Sequence, residues 1–150
     1  KLKNCYGVWE SGYTSTEADP RGIEADGNLD GVYPDHLRQS DFVVENMTIV
    51  NNAANTTDNV DRMQDVIKIR RGAKATITNA LVKGSGGTID LIDMNDSKGA
   101  GNAASSISIT HTLNFKNKLN GTLNTFTEPT TNTGADASLF TWSGYNFSSL

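Results

Sequence analysis

The chain has 150 residues, the size of one domain, with 36% hydrophobic and 20% charged residues, a lean composition that suffices for a narrow core. A net charge of -4 disfavours a nucleic-acid partner, and no apolar run is long enough to span a bilayer. Cys5 is the single cysteine, so an intrachain disulfide is excluded, and no Cys/His cluster has zinc spacing.

In chain order, residues 1–16 carry Tyr6, Trp9 and Tyr13 and read as an incomplete unit rich in aromatics. The chain starts at Lys1 rather than Met, so removal of a signal or an N-terminal part is expected. Residues 17–41 are acidic, with Glu17, Asp19, Glu24, Asp26, Asp30, Asp35 and Asp41. Within them 22–26 alternates apolar and polar, the mark of a strand with one buried face. Residues 42–51 predict a longer strand, and 52–64 a polar, exposed excursion. Two further strands follow at 66–70 and 75–82, separated by Gly72, and another at 88–91 after the Gly84-Ser85-Gly86-Gly87 break. Residues 96–104 predict a flexible loop, 105–115 a third long strand, and 116–136 an irregular Asn/Thr-rich stretch. Leu139, Phe140, Trp142, Tyr145 and Phe147 gather at the end.

Short strand, turn, long strand, turn recurs along the chain, and strand-only repeats with Gly and Asn at corners predict a solenoid. The expected fold is all-β: a right-handed, single-stranded parallel β-helix over residues 1–137, the C-terminal portion of a longer solenoid. An aromatic cap over the open end is expected at 138–150. On the short strands Ile23, Ile67 and Ile89 should stack inward, then Ala25, Ile69 and Leu91. The outward rows should read Glu24, Lys68, Asp90 and Asp26, Arg70, Ile92. On the long strands Val44, Ile77 and Ile109 should stack, with Asn46, Asn79 and His111 at a corner where amides can form a ladder.

Gly22-Ile23-Glu24-Ala25-Asp26-Gly27, the Asn46-Met47-Thr48-Ile49-Val50 strand, Ile67-Lys68-Ile69-Arg70-Arg71 and Ile77-Thr78-Asn79 together carry a resemblance. Over residues 21–94 the chain resembles the C-terminal part of a family of bacterial secreted or surface-attached right-handed parallel β-helix proteins, similar in architecture to pectate lyases. Ala25, Gly27 and Lys68 depart from the Ser, Asn and His of that pattern. The resemblance implies the fold and an extracellular or bacterial outer-surface location. It implies no activity, because a shared superfold does not bring a function with it.

Glu24 and Asp26 lie on one strand face about 7 Å apart by strand rise. With Asp90 they are candidate catalytic carboxylates for glycoside hydrolysis. With Lys68, Arg70 and Arg71 they could serve a polysaccharide lyase, which needs a base and a cation beside an acidic sugar. The plainer reading is an ion-pair ladder on a solvated face. Asp26 and Asp30 are candidate calcium ligands, but 26–31 lacks EF-hand spacing and its distal Glu, so a solvated acidic turn is preferred and no other cofactor is expected. Arg71, Trp142 and Tyr145 are candidate ligand-binding residues, the two aromatics as a sugar platform in place of a cap. His36 and His111 have no G-x-S-x-G partner for a nucleophilic triad. N-x-[ST] acceptors stand at Asn46, Asn55, Asn95, Asn120 and Asn146, relevant only to a eukaryotic secreted protein.

The expected function is a non-catalytic extracellular or cell-surface scaffold or binding module, with polysaccharide as the candidate partner. A polysaccharide lyase or glycoside hydrolase is the alternative. The open solenoid edge invites end-to-end self-association.

Overall fold

A computed structural model describes residues 1–13, 16–17, 19–28, 39–54 and 62–150. Asp30, Asp35, His36 and Asn55 lie outside the described residues. Among the described residues nine strands run in chain order: β1 (Leu2–Trp9), β2 (Arg21–Asp26), β3 (Asp41–Asn51), β4 (Met63–Arg70), β5 (Lys74–Gly84), β6 (Thr88–Asp93), β7 (Ser106–His111), β8 (Asn117–Asn120) and β9 (Thr125–Thr127). Odd strands form a five-stranded sheet, β1-β3-β5-β7-β9, and even strands a four-stranded sheet, β2-β4-β6-β8. Every pairing between these strands is parallel. A chain that alternates between two parallel sheets, each strand pairing with the one two elements away, winds as a parallel β-helix. The expected fold is therefore the observed one.

Local chemistry sets each corner. Between β4 and β5 the chain turns through Arg71 (φ 56°) and Gly72 (φ 85°), two left-handed residues in a row. The long strands bend in their middles, where Asn4, Asn46 and Asn79 are left-handed, with φ of 55°, 57° and 51°. Asn tolerates that region better than other side chains. The bend resets the pleat, so inward residues fall three apart there: Val44 then Met47, Ile77 then Ala80, all buried. Asn79 Nδ2 donates to Asn46 Oδ1 (2.9 Å), and Asn46 Nδ2 to Asn4 Oδ1 (3.0 Å). The expected amide ladder is thus present, one rung longer than expected at Asn4.

Three register expectations are corrected. Opposite Ile77 stands Ile107, and Ile109 pairs with Ala80, because β7 lacks the bend and the pairing shifts between Ile77 and Ala80. His111 pairs with Val82 rather than extending the asparagine row. On the other sheet Ile67 pairs with Ile92, not Ile89, and Lys68 with Asp93, not Asp90. Adjacent Val66 and Ile67 are both fully buried, as are Leu91 and Ile92, so strict alternation fails at this point. Matching by alternation alone slid β6 by three residues.

Two stretches are more ordered than expected. Residues 116–136 contain β8 and β9, the last coil. The loop at 96–104 lies on the β4–β5 corner, with Arg71 N donating to Gly99 O (2.6 Å) and Gly72 N to Ala100 O (2.9 Å). The core between the sheets is aliphatic, with Met63, Ile67, Ile69, Ile77, Leu91, Ile92, Ile107 and Ile109 each under 3% exposed.

After β9 the chain crosses the five-stranded sheet transversely. Asn132 N donates to Thr110 Oγ1 of β7 (3.2 Å), and Asn132 Nδ2 to Ala80 O of β5 (3.3 Å). Thr133 N donates to Asn79 Oδ1 (2.9 Å), closing the amide ladder. Ala135 N donates to Thr48 Oγ1 of β3 (3.0 Å). A 3-10 helix, Ala137–Ser143, follows, capped by Asp136, which accepts from Ser138 N. The aromatic cluster forms, with Phe140 and Phe147 packed edge-on against Tyr6 of β1 at 5.9 and 4.8 Å between ring centroids. It thus lies beside the first coil of the stack rather than beyond the last.

Candidate functional site

The outer face of the four-stranded sheet collects most of the charge. Parallel strands lie about 4.8 Å apart, so residues in register form rows across the coils. Arg21, Asp65, Asp90 and Asn117 make one row. Glu24, Lys68, Asp93 and Asn120 make the next. The two rows are three residues apart along each strand. They share a face because the paired inward residues between them, Val66 with Ile67 and Leu91 with Ile92, replace the usual single one.

Each described cation on this face has carboxylate partners. Arg21, whose side chain is 7% exposed, binds Asp65 (3.2 Å), Glu24 (2.9 Å) and Asp19. Lys68 contacts Asp93, both nearly sealed from solvent. Arg70 binds Glu24, Asp26 and, at 3.3 Å, Asp96. Arg71 lies 3.7 Å from Asp26 and 3.6 Å from Asp96. Amides hold the remaining carboxylate oxygens. Asp90 accepts from Asn117 Nδ2 (2.7 Å) and Asn120 Nδ2 (3.3 Å), and Asp93 Oδ1 from the Asn95 backbone N–H (2.9 Å).

Asp65, Asp90 and Asp93 are all buried, and their carboxylate oxygens lie within 4.8 Å of one another. Burial pushes the Asp65 carboxyl up to about 6, and the Asp93 charge adds to this, against the bond from Arg21. The Lys98 backbone N–H, with Arg71 and Arg70, holds Asp96 below its ordinary range. Three converging carboxylates are the chemistry of a divalent-cation site. Here the Lys68 ammonium and the Arg21 guanidinium already supply two positive charges to the group.

Of the expected site residues, the structure brings Glu24, Asp26, Lys68, Arg70, Arg71 and Asp90 onto this one face. Asp26 is engaged by Arg70 and Arg71. Trp142 is 82% exposed on the C-terminal 3-10 helix. Tyr145 packs on Phe147 (5.0 Å) and donates to Glu10. These aromatics belong to the segment across the five-stranded sheet, not to the charged face. His111 contacts Leu113 O (3.1 Å) and Glu128 (2.7 Å) at a small polar cleft with Lys118 and Pro129. A second, apolar cleft at the first coil is lined by Leu2, Cys5, Tyr6, Ile23 and Met47.

Sequence reasoning missed Arg21, Asp65, Asp93, Asp96, Asn117 and Asn120. The available signal was spacing: Asp65 and Lys68, and Asp90 and Asp93, each stand three apart. Period-two alternation assigns such residues to opposite faces, which hid the cluster.

A family model described as a pectate-lyase-like β-helix domain matches residues 3–145, and the chain belongs to that family. No curated protein and no solved structure matches the chain.

Proposed function

We propose that this member of the pectate-lyase-like β-helix family is a non-catalytic extracellular or cell-surface module that binds polysaccharide along the outer face of its four-stranded sheet. The observation that carries the reading is the pairing of charge: Arg21, Lys68, Arg70 and Arg71 each contact carboxylates on that face. Among the described residues, such a ladder ties the cations and carboxylates of the face to one another. At its rim, half-exposed Glu24 and Asp26 and the exposed amide of Asn95 offer hydrogen-bond acceptors and donors. Glu24 and Asp26, two residues apart on β2, and Asn95, just past β6, spread such groups along and across the strands, where they suit the hydroxyls of an extended glycan chain.

The hydrolase or lyase reading draws on one observation, Asp65. A carboxyl whose proton affinity burial raises to about 6, beside other carboxylates, is the arrangement of an acid–base pair. Against it stands access: Asp65, Asp90 and Asp93 are 6%, 5% and 8% exposed, behind their own partners. A glycan array on the folded domain, with product analysis of any bound polysaccharide, separates the two. Retention without new chain ends is expected, and Glu24→Gln should weaken it. Cleavage that Asp65→Asn abolishes would replace the module with an enzyme, and failure to retain any glycan would remove the polysaccharide ligand.

A further inference from the structure

We propose that Lys68 and Asp93 condense to an intramolecular isopeptide bond that staples β4 to β6, with Asp65 as the proton-transferring group. Lys68 and Asp93 are register partners on adjacent parallel strands, so their backbones hold them face to face. The Lys68 ammonium touches Asp93 Oδ2, and the two side chains are 9% and 11% exposed. Neither partner has room to swing out to water. A fixed, nearly dry amine and carboxyl are reactants already in near-attack position.

The surroundings supply the rest of an acyl-transfer site. Asp93 Oδ1 accepts the Asn95 backbone N–H at 2.9 Å, a donor placed where negative charge grows when the carboxyl carbon becomes tetrahedral. Asp65 sits with its carboxylate within 4.8 Å of that of Asp93. Burial raises its proton affinity to about 6, so it can take up and give back a proton within the site. Asp90 is tied to Asn117 and Asn120 and is left out of the exchange.

The step balances without an oxidant or co-reactant. The ammonium passes a proton to the Asp93 carboxylate it touches, leaving amine and carboxylic acid. The amine lone pair attacks Cγ of Asp93, forming the Nζ–Cγ bond and placing charge on Oδ1. Asp65 protonates the departing Oδ2 and recovers a proton from the nitrogen, so it ends as it began. The Cγ–Oδ2 bond breaks, and one water leaves for each amide formed.

Intact-mass spectrometry of the purified folded chain tests the bond. The expected result is a mass one water below that of the 16.1 kDa sequence, with a branched proteolytic peptide joining Lys68 to Asp93. Lys68→Arg should restore the full mass. Asp65→Asn, with its β-sheet circular dichroism intact, should keep both side chains free. A parent protein at full sequence mass overturns the proposal. So does a water loss that persists in Lys68→Arg, which would place the dehydration elsewhere, and bond formation undiminished in Asp65→Asn removes Asp65 from its role.

Discussion

Asp65 is where a single side chain reports most directly on the fold. Its carboxyl titrates near 6 in the native state against an ordinary 3.8, so the native chain holds that proton more tightly than the unfolded chain does. The sign follows: this group favours the fold most below pH 4, and its contribution falls as pH rises toward about 6. Glu45, Asp96 and Glu128, held below their ordinary ranges by cations or backbone N–H groups, act oppositely and favour the fold less as pH falls. Melting temperatures of a Lys68→Arg parent, in which the Lys68–Asp93 bond cannot form, and of its Asp65→Asn derivative across pH 4 to 7 isolate the one group, since the other carboxylates cancel. The parent should lose stability relative to the variant as pH rises through that window, and parallel curves would mean that Asp65 is not desolvated as described. At this scale the sequence was informative where geometry is local. Asn46 and Asn79 were legible as ladder residues because few other side chains accept a left-handed backbone. Asp65 was not, because its burial depends on β6 and on Arg21, a chain segment away.

Among elements, the strands rich in β-branched residues were readable and the poorer ones were not. β5 alternates on either side of Asn79 and β4 carries Val66, Ile67 and Ile69, whereas β8, Asn117–Asn120, holds one apolar residue, Leu119, and is held in place by pairing with β6. Register was legible to within a three-residue slip, since doubled inward residues at Val66-Ile67 and Leu91-Ile92 leave both alignments apolar. The transverse segment had no sequence signal beyond its glycine and asparagine content, because its bonds go to side chains and carbonyls on distant strands. Gly134 is its most constrained point. Its φ is +70°, and a Cβ there would meet Thr48 Oγ1 and, at 2.9 Å, Leu81 Cβ. Gly134→Ala should therefore lift the segment from the sheet and cost about 1–3 kcal/mol in urea denaturation. Hydrogen exchange at Thr133 and Ala135 should rise with it. Unchanged protection there would show that the segment is not held by this contact.

For the whole molecule, the aliphatic column between the sheets sets stability. Ile67 and Ile77 are at most 1% exposed, so Ile67→Asp or Ile77→Asp buries an unpaired charge and should abolish the cooperative thermal transition. A variant that melts like the parent would place those side chains outside the core. Fold class was legible because every coil repeats the same requirement, one apolar face per short strand. The face's chemistry was legible only as charge, since its pairings depend on which coil follows which. The transverse segment also changes what kind of object the stack is. A solenoid whose coils touch only their neighbours is a one-dimensional array, and such arrays can open from either end a coil at a time. Here one stretch of chain is bonded to β7, β5 and β3 and stacked on β1, like a seam sewn across the pages of a book. The first coil cannot then peel away without tearing contacts that also hold the later ones, so end fraying is converted into a single collective event, and the binding along the spine keeps the opposite, charged face in fixed register.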